Sequence, residues 1–188
     1  GGTPSGELST ASTQSQYVYN PDDFSGNVAV AEERIASLES RISTYIGYDI
    51  DVSDVTTNLQ SAKTSLAAAK SAGTADISVA SKNLEAATTS LTAAEKALSL
   101  KGLAEIQVNI DEVNTLIKKL QEMGWDTNKV TNLKSDNTNI NTDVLSYKSI
   151  GTPLVDDILV RSETAVSLAH EYLESANTSP LAAIGSIL

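Results

Sequence analysis

Cysteine is absent from this chain of 188 residues, which removes disulfides, thiolate metal sites, iron–sulfur clusters and cysteine nucleophiles together. Histidine occurs once, so a Ser-His-Asp triad would have to use His170, and no strand-turn-helix nucleophile context surrounds it. A bridged di-metal bundle site would want Glu-x-x-His, but Ser167 stands three residues before His170. His170 and Glu174 could share a helix face as two ligands, yet no second histidine exists to complete a metal site. No Gly-rich phosphate loop is present. Neither a signal segment nor an apolar run of about 20 residues appears, so nothing in this sequence is expected to span a bilayer. Aromatics are scarce at 4%.

What is there is Ala, Leu, Ile and Val with abundant Ser and Thr, a composition that builds helix bundles with thin cores. The hydrophobic fraction of 40% excludes wholesale disorder. A net charge of -11 sets the surface against phosphate backbones and anionic membranes, so nucleic acid is not an expected partner.

The stretch 77–123 organises the chain. Ile77, Ala80, Leu84, Ala87, Leu91, Ala94 and Leu98 follow three-four spacing, and a second seam continues through Ile106, Val113, Leu116, Leu120 and Met123. Between Ser99 and Glu105 there is no proline, no Asn-Gly or Asp-Gly, and no capping residue just after Gly102. A hairpin there lacks its turn chemistry, so Gly102 is expected inside one continuous helix.

Before this stretch, residues 1–26 are rich in Ser, Thr, Gly and Gln and are expected to form a tether. A helix is expected over 27–46, with Val28, Ala31, Ile35, Leu38, Ile42 and Tyr45 on its seam and Gly47 ending it. A second should begin near Asp51 or Ser53, bury Val52, Val55, Leu59, Ala62, Leu66 and Ala69, and stop at Gly73, with Thr74 capping the next. Beyond Gly124, a helix from about 127 carries Val130, Leu133, Asn137, Ile140, Val144 and Tyr147. A last helix is capped by Thr152, takes Pro153 at its first position and runs through Val155, Ile158, Ala165, Ala169 and Tyr172 to about 176.

These seams recur with a spacing of 78: Val28 with Ile106, Leu38 with Leu116, Tyr45 with Met123, Val52 with Val130, Leu66 with Val144, and Gly73-Thr74 with Gly151-Thr152. The fold expected is therefore all-α. It comprises two tandem, coiled-coil-like three-helix bundles, 27–102 and 103–180, sharing a long central helix and followed by an apolar tail, 181–188. The alternative is a single compact six-helix bundle with a turn at Gly102. The tandem arrangement is similar in outline to spectrin-type repeats, where the last helix of one unit runs into the first of the next. The chain lacks the tryptophan that marks the first helix of those repeats, so the likeness concerns architecture and implies no function.

Candidate contact residues for a protein partner are Tyr17, Tyr19, Phe24, Tyr48 and Trp125; the last two are expected at equivalent turns, where plugging the end of each bundle core is the other role open to them. Tyr17, Tyr19 and Phe24 could equally pin the tether to the bundle. Asn109 and Asn137 fall on seams, where buried amides fix register or line a wet cavity. Asp49, Asp51, Asp54, Asp126 and Asn128 are expected as helix caps, since the central glycine and distal glutamate of a calcium loop are missing. The adjacent carboxylates Glu32-Glu33, Asp111-Glu112 and Asp156-Asp157 make no acid/base dyad. Asn177-Thr178-Ser179 is a glycan acceptor triplet, weakened by Pro180 and relevant only on an exported chain.

No catalytic residue, cofactor or metal is expected. The functional expectation is a non-enzymatic spacer or protein-interaction module of an exported, surface-anchored protein located outside the cytoplasm. The Gly-Gly start is consistent with a trimmed, lipid-anchored form, and protein binding or self-association is anticipated. The rival expectation is an extracytoplasmic ligand-sensing bundle whose cavity is lined by Ala62, Ala69, Ala80, Ala87 and Ala94.

Overall fold

The computed structural model describes residues 21–150 and 155–178, and among these every regular element is a helix. There are five: α1 (Pro21–Gly47), α2 (Ser53–Ala72), α3 (Ile77–Glu122), α4 (Thr127–Ile150) and α5 (Val155–Asn177). The chain is an all-α bundle protein. Tyr17, Tyr19, the Thr152-Pro153 cap and the tail 181–188 lie outside the described residues.

Helix α3 runs unbroken for 46 residues through Gly102, so no turn forms there. Contacts divide the chain into two compact units, Gly1–Leu98 and Ser99–Leu188, and α3 contributes its N-terminal part to the first and its C-terminal part to the second.

In the first unit the core is aliphatic and layered. Leu38, Ile42 and Tyr45 of α1, Val55, Leu59 and Leu66 of α2, and Leu84, Leu91 and Leu98 of α3 are buried. Ala31, Ala62, Ala69, Ala80, Ala87 and Ala94 alternate with them and let the helices approach closely. Fully burying one such leucine stabilises by roughly 1.5–3 kcal/mol. Around the core, Arg34 reaches from α1 to Glu95 of α3 at 2.7 and 2.8 Å, while Lys63 and Lys70 of α2 pair with Glu39 and Glu32 of α1.

The second unit has a wider apolar stripe. Ile110 and Ile117 are buried beside Ile106, Val113, Leu116 and Leu120 on α3, and Leu159 is buried beside Ile158 on α5. Many of the abundant Thr hydroxyls bond back to the carbonyl one turn earlier, as in Thr88 to Leu84, Thr115 to Asp111, Thr138 to Lys134 and Thr164 to Val160, which satisfies the hydroxyls within their own helix, while helicity itself comes from burial of the apolar seams.

Several expectations are corrected. The first helix starts at Pro21, not Asn27, so the segment Pro21 to Gly26 is helix and Phe24 is a core residue, 7% exposed. Proline at a helix's first position costs no hydrogen bond, which is why Pro21 begins it well. The cap of α3 is Asp76, whose Oδ1 accepts from the Val79 N–H at 3.2 Å, in place of Thr74. Met123 is 41% exposed instead of on the seam.

The register of the two units is also corrected. Helix α1 ends with Asp49 in the left-handed region, its N–H bonded to Ile46 O and the Ile50 N–H to Tyr45 O. Helix α3 ends the same way at Gly124, its N–H bonded to Gln121 O and the Trp125 N–H to Leu120 O. Asp49 thus matches Gly124, so the endings of α1 and α3 are 75 residues apart and not 78, while the seams of α2 and α4 still pair buried residues at 78, as in Val55 with Leu133 and Leu66 with Val144. Ile50 then matches Trp125, and Tyr48 is not Trp125's equivalent. A three-four seam overlays itself after a shift of one turn, so only the helix ending fixes the register.

Candidate functional site

The second unit gathers the side chains of interest. The turn after α3 delivers Trp125, and the N-terminus of α4 follows at once, with Asp126 Oδ1 accepting from the Lys129 N–H at 3.2 Å. The Trp125 ring lies 5.0 Å from that of Tyr172 on α5, tilted by 41°. The Lys129 ammonium sits over both rings, 5.7 Å from the first and 5.8 Å from the second. An ammonium over aromatic faces is attracted by the ring quadrupoles. The two aromatics are half-buried, so part of each ring remains open to solvent beside the exposed Met123.

Along the interior, both seam asparagines are buried, each 3% exposed. Asn109 Nδ2 donates to Ser162 Oγ at 3.0 Å, and that hydroxyl donates to Leu159 O at 2.8 Å. Asn137 Nδ2 donates to Ile110 O at 3.1 Å and to Asn114 Oδ1 at 2.9 Å. Its own Oδ1 is buried without a donor.

Two rungs of acidic character join α3 to α5, with the same separation between partners. The Glu105 and Glu163 carboxyls face each other, with Glu163 Oε1 buried and without a partner, and seven residues further along each helix Glu112 Oε1 lies 2.6 Å from His170 Nε2. Burial, and then the Glu163 carboxyl opposite, raise the Glu105 carboxyl above the ordinary glutamate range, with a further contribution from Glu112. His170 therefore pairs across the bundle, whereas the sequence set it beside Glu174. On the outer face Arg161 of α5 engages Asp143 of α4.

Two clefts open on this unit. One, of about 250 Å³, runs between α4 and α5 and is mostly apolar, with Leu133, Ile140, Val160, Ala165 and Leu168 in its walls. The other, of about 230 Å³, is polar and lies between α3 and α4 around Asn137. Neither is lined by Ala62, Ala69, Ala80, Ala87 or Ala94, which are fully buried in the first unit. Among the described residues no three His, Asp or Glu side chains converge as metal ligands, and no helix is long and apolar enough to cross a membrane.

Of the partner-contact candidates, Phe24 lies in the core, Tyr48 is half-buried at the end of α1, and Trp125 is the one brought into a cluster. Of the aspartates expected as caps, Asp126 acts as one, whereas the N-cap of α2 is Val52, which has no side-chain cap bond: Asp51 Oδ1 accepts from the Ser53 N–H at 3.0 Å ahead of it, Asp54 Oδ1 from the Val55 N–H at 2.9 Å within the first turn, and Asp49 belongs to the ending of α1. The sequence reading missed Ser162, Lys129, Glu105 and Glu163. A signal existed for Ser162, since Asn109 on a seam demands a polar partner on a facing helix. Protein-family models, curated proteins and solved structures hold no match for this chain.

Proposed function

We propose that this protein is a non-enzymatic helical spacer and interaction module, and that the Trp125 end of its second unit is the surface a protein partner meets. The observation that supports this is the Trp125–Tyr172–Lys129 cluster: two half-buried rings and a cation at a helix turn, beside exposed Met123. Aromatic side chains held rigid at a surface anchor protein interfaces at small entropic cost. We extend the proposal to an extracytoplasmic, surface-anchored setting on the strength of the Ser/Thr/Gly-rich sequence ahead of the helices.

A photo-crosslinking amino acid placed at Met123, with Val30 of the first unit as control position, tests the contact in cells that make the protein. A product formed from position 123 and not from 30, and lost when Trp125→Ala is added to a chain of unchanged helicity, is expected. Identical products from both positions, or indifference to Trp125→Ala, would discard the proposed surface. A membrane-impermeant label applied to intact cells tests the setting: the protein should react, and complete protection would place it inside.

A further inference from the structure

The segment 179–188 follows directly on α5 and carries Leu181, Ile184, Ile187 and Leu188 with no charged side chain, in a chain of which 20% of the residues are charged. Helix α5 is closed ahead of it, since the Thr178 N–H and hydroxyl both donate to Glu174 O at 3.1 Å. Pro180 then offers no N–H and disfavours helical backbone at Ser179, so the chain is expected to turn away there. Two grooves flank α5 in the second unit. The one shared with α3 holds the Glu105–Glu163 and Glu112–His170 rungs, and an apolar segment laid over it would strip water from ionisable groups. The one shared with α4 is the apolar cleft, where Leu133, Ile140 and Ala165 are buried. Val160, 42% exposed, and half-buried Leu168 leave apolar surface open along it.

We propose that the segment 181–188 of this same chain folds back antiparallel to α5 and docks its leucine and isoleucine side chains in the α4–α5 cleft. The reach suffices. Ten residues extend to roughly 33 Å, whereas Leu168 lies about 15 Å and Val160 about 27 Å before Thr178 along the helix axis. Apolar area on both partners leaves water, while Asp136 and Arg161, the charged residues of the cleft, are exposed and stay solvated. The covalent link makes the contact intramolecular, at an effective concentration of order millimolar that a separate chain rarely matches. None of the cleft residues belongs to the Trp125 cluster, so the two proposals stand or fall separately.

The chain has no cysteine, so Ser186→Cys takes a nitroxide spin label at a single place in the uniformly ¹⁵N-labelled full chain. Backbone amide intensities are compared with the label oxidised and reduced. The expected result is a loss of signal deepest at 133–140 and 160–168, and shallower at 105–112 of α3, on the other side of α5. Val160→Asp, at an exposed position, should cancel that difference while helicity is retained. Ile184→Asp, outside the described helices, should cancel it as well. Loss confined to the last turn of α5, loss deepest at 105–112, or a pattern unchanged in both variants would overturn the proposal. A mixture of spin-labelled ¹⁴N chain with label-free ¹⁵N chain identifies the occupant. No loss is expected in the mixture, and loss at 133–140 and 160–168 would give the cleft to a second copy and overturn the intrachain docking.

Discussion

Asp49 and Gly124 hold the same place in two helix endings, each the left-handed residue after the last turn, at φ 60° and φ 64°. One position has the residue that suits this conformation and the other does not. A Cβ at Gly124 would meet nothing within 4 Å, so the cost of Gly124→Ala is that of the backbone alone, roughly 1 kcal/mol. Asp49→Gly should stabilise the first unit by about 0.5–1 kcal/mol. Urea unfolding of both variants checks the opposite signs, and equal signs would refute the assigned register.

Asn137→Leu should raise the melting temperature. The substitution removes a buried acceptor that has no donor, a cost of about 1–3 kcal/mol, against the loss of two bonds worth about 0.5–1.5 kcal/mol each, one of them to the exposed Asn114 and so near the low end. The nearly equal volume of leucine leaves no cavity. A gain of about 2–4 °C is expected, the shift produced by about 1 kcal/mol in a chain of this size. A fall in melting temperature would show that the two amide bonds outweigh the orphaned oxygen.

The Glu105–Glu163 contact makes the second unit weaker as pH rises. Glu105 is raised in the folded state by burial and by Glu163, so between the ordinary glutamate value of about 4.3 and its own raised value the native state binds more protons than the unfolded one. The stabilisation is complete below that ordinary value and is lost as pH climbs through the folded one. Glu105→Gln should flatten the decline, melting higher than the parent at pH 7 and no higher at pH 4. Parallel melting curves at the two pH values would remove the contact from the account.

Gly26→Ala tests where α1 begins. Gly26 lies within the helix, and a Cβ there meets nothing within 4 Å, so alanine should stabilise by about 0.5–1 kcal/mol through helix propensity. Denaturant midpoints would show it, and an unchanged midpoint would return the segment to the tether.

Much of the architecture was legible in the residues. The unbroken α3 followed from missing turn chemistry around Gly102, and the buried faces of α2 and α3 from three-four spacing at Val55, Leu59, Leu66, Leu84, Leu91 and Leu98. The start of α1 was not, because Ser25 and Gly26 are poor helix formers and the burial of Phe24 in the bundle outweighs them. Nor was Asp76 as the cap of α3, since Thr74 and Asp76 are both capping residues and only the path of the chain chooses between them.

The candidate sites were legible only in part. Asn109, Asn137 and Trp125 announced themselves, as amides on a seam and the chain's one tryptophan. Lys129 lies one turn beyond Trp125, but the partners Ser162, Asn114 and Tyr172 come from other helices, and no residue beside them in the chain marks them.

The sequence by itself determined that the chain is helical, where most helices stop, and which faces are apolar, because backbone propensity, capping and periodicity act within a few residues of one another. The tertiary structure alone decided which helix ending matches which, that Glu105 faces Glu163, that His170 meets Glu112, and that Asn137 keeps an oxygen without a donor. The physical reason is that a heptad pattern is nearly unchanged by a shift of one turn, so the relative register of two helices is set by packing between residues far apart in the chain.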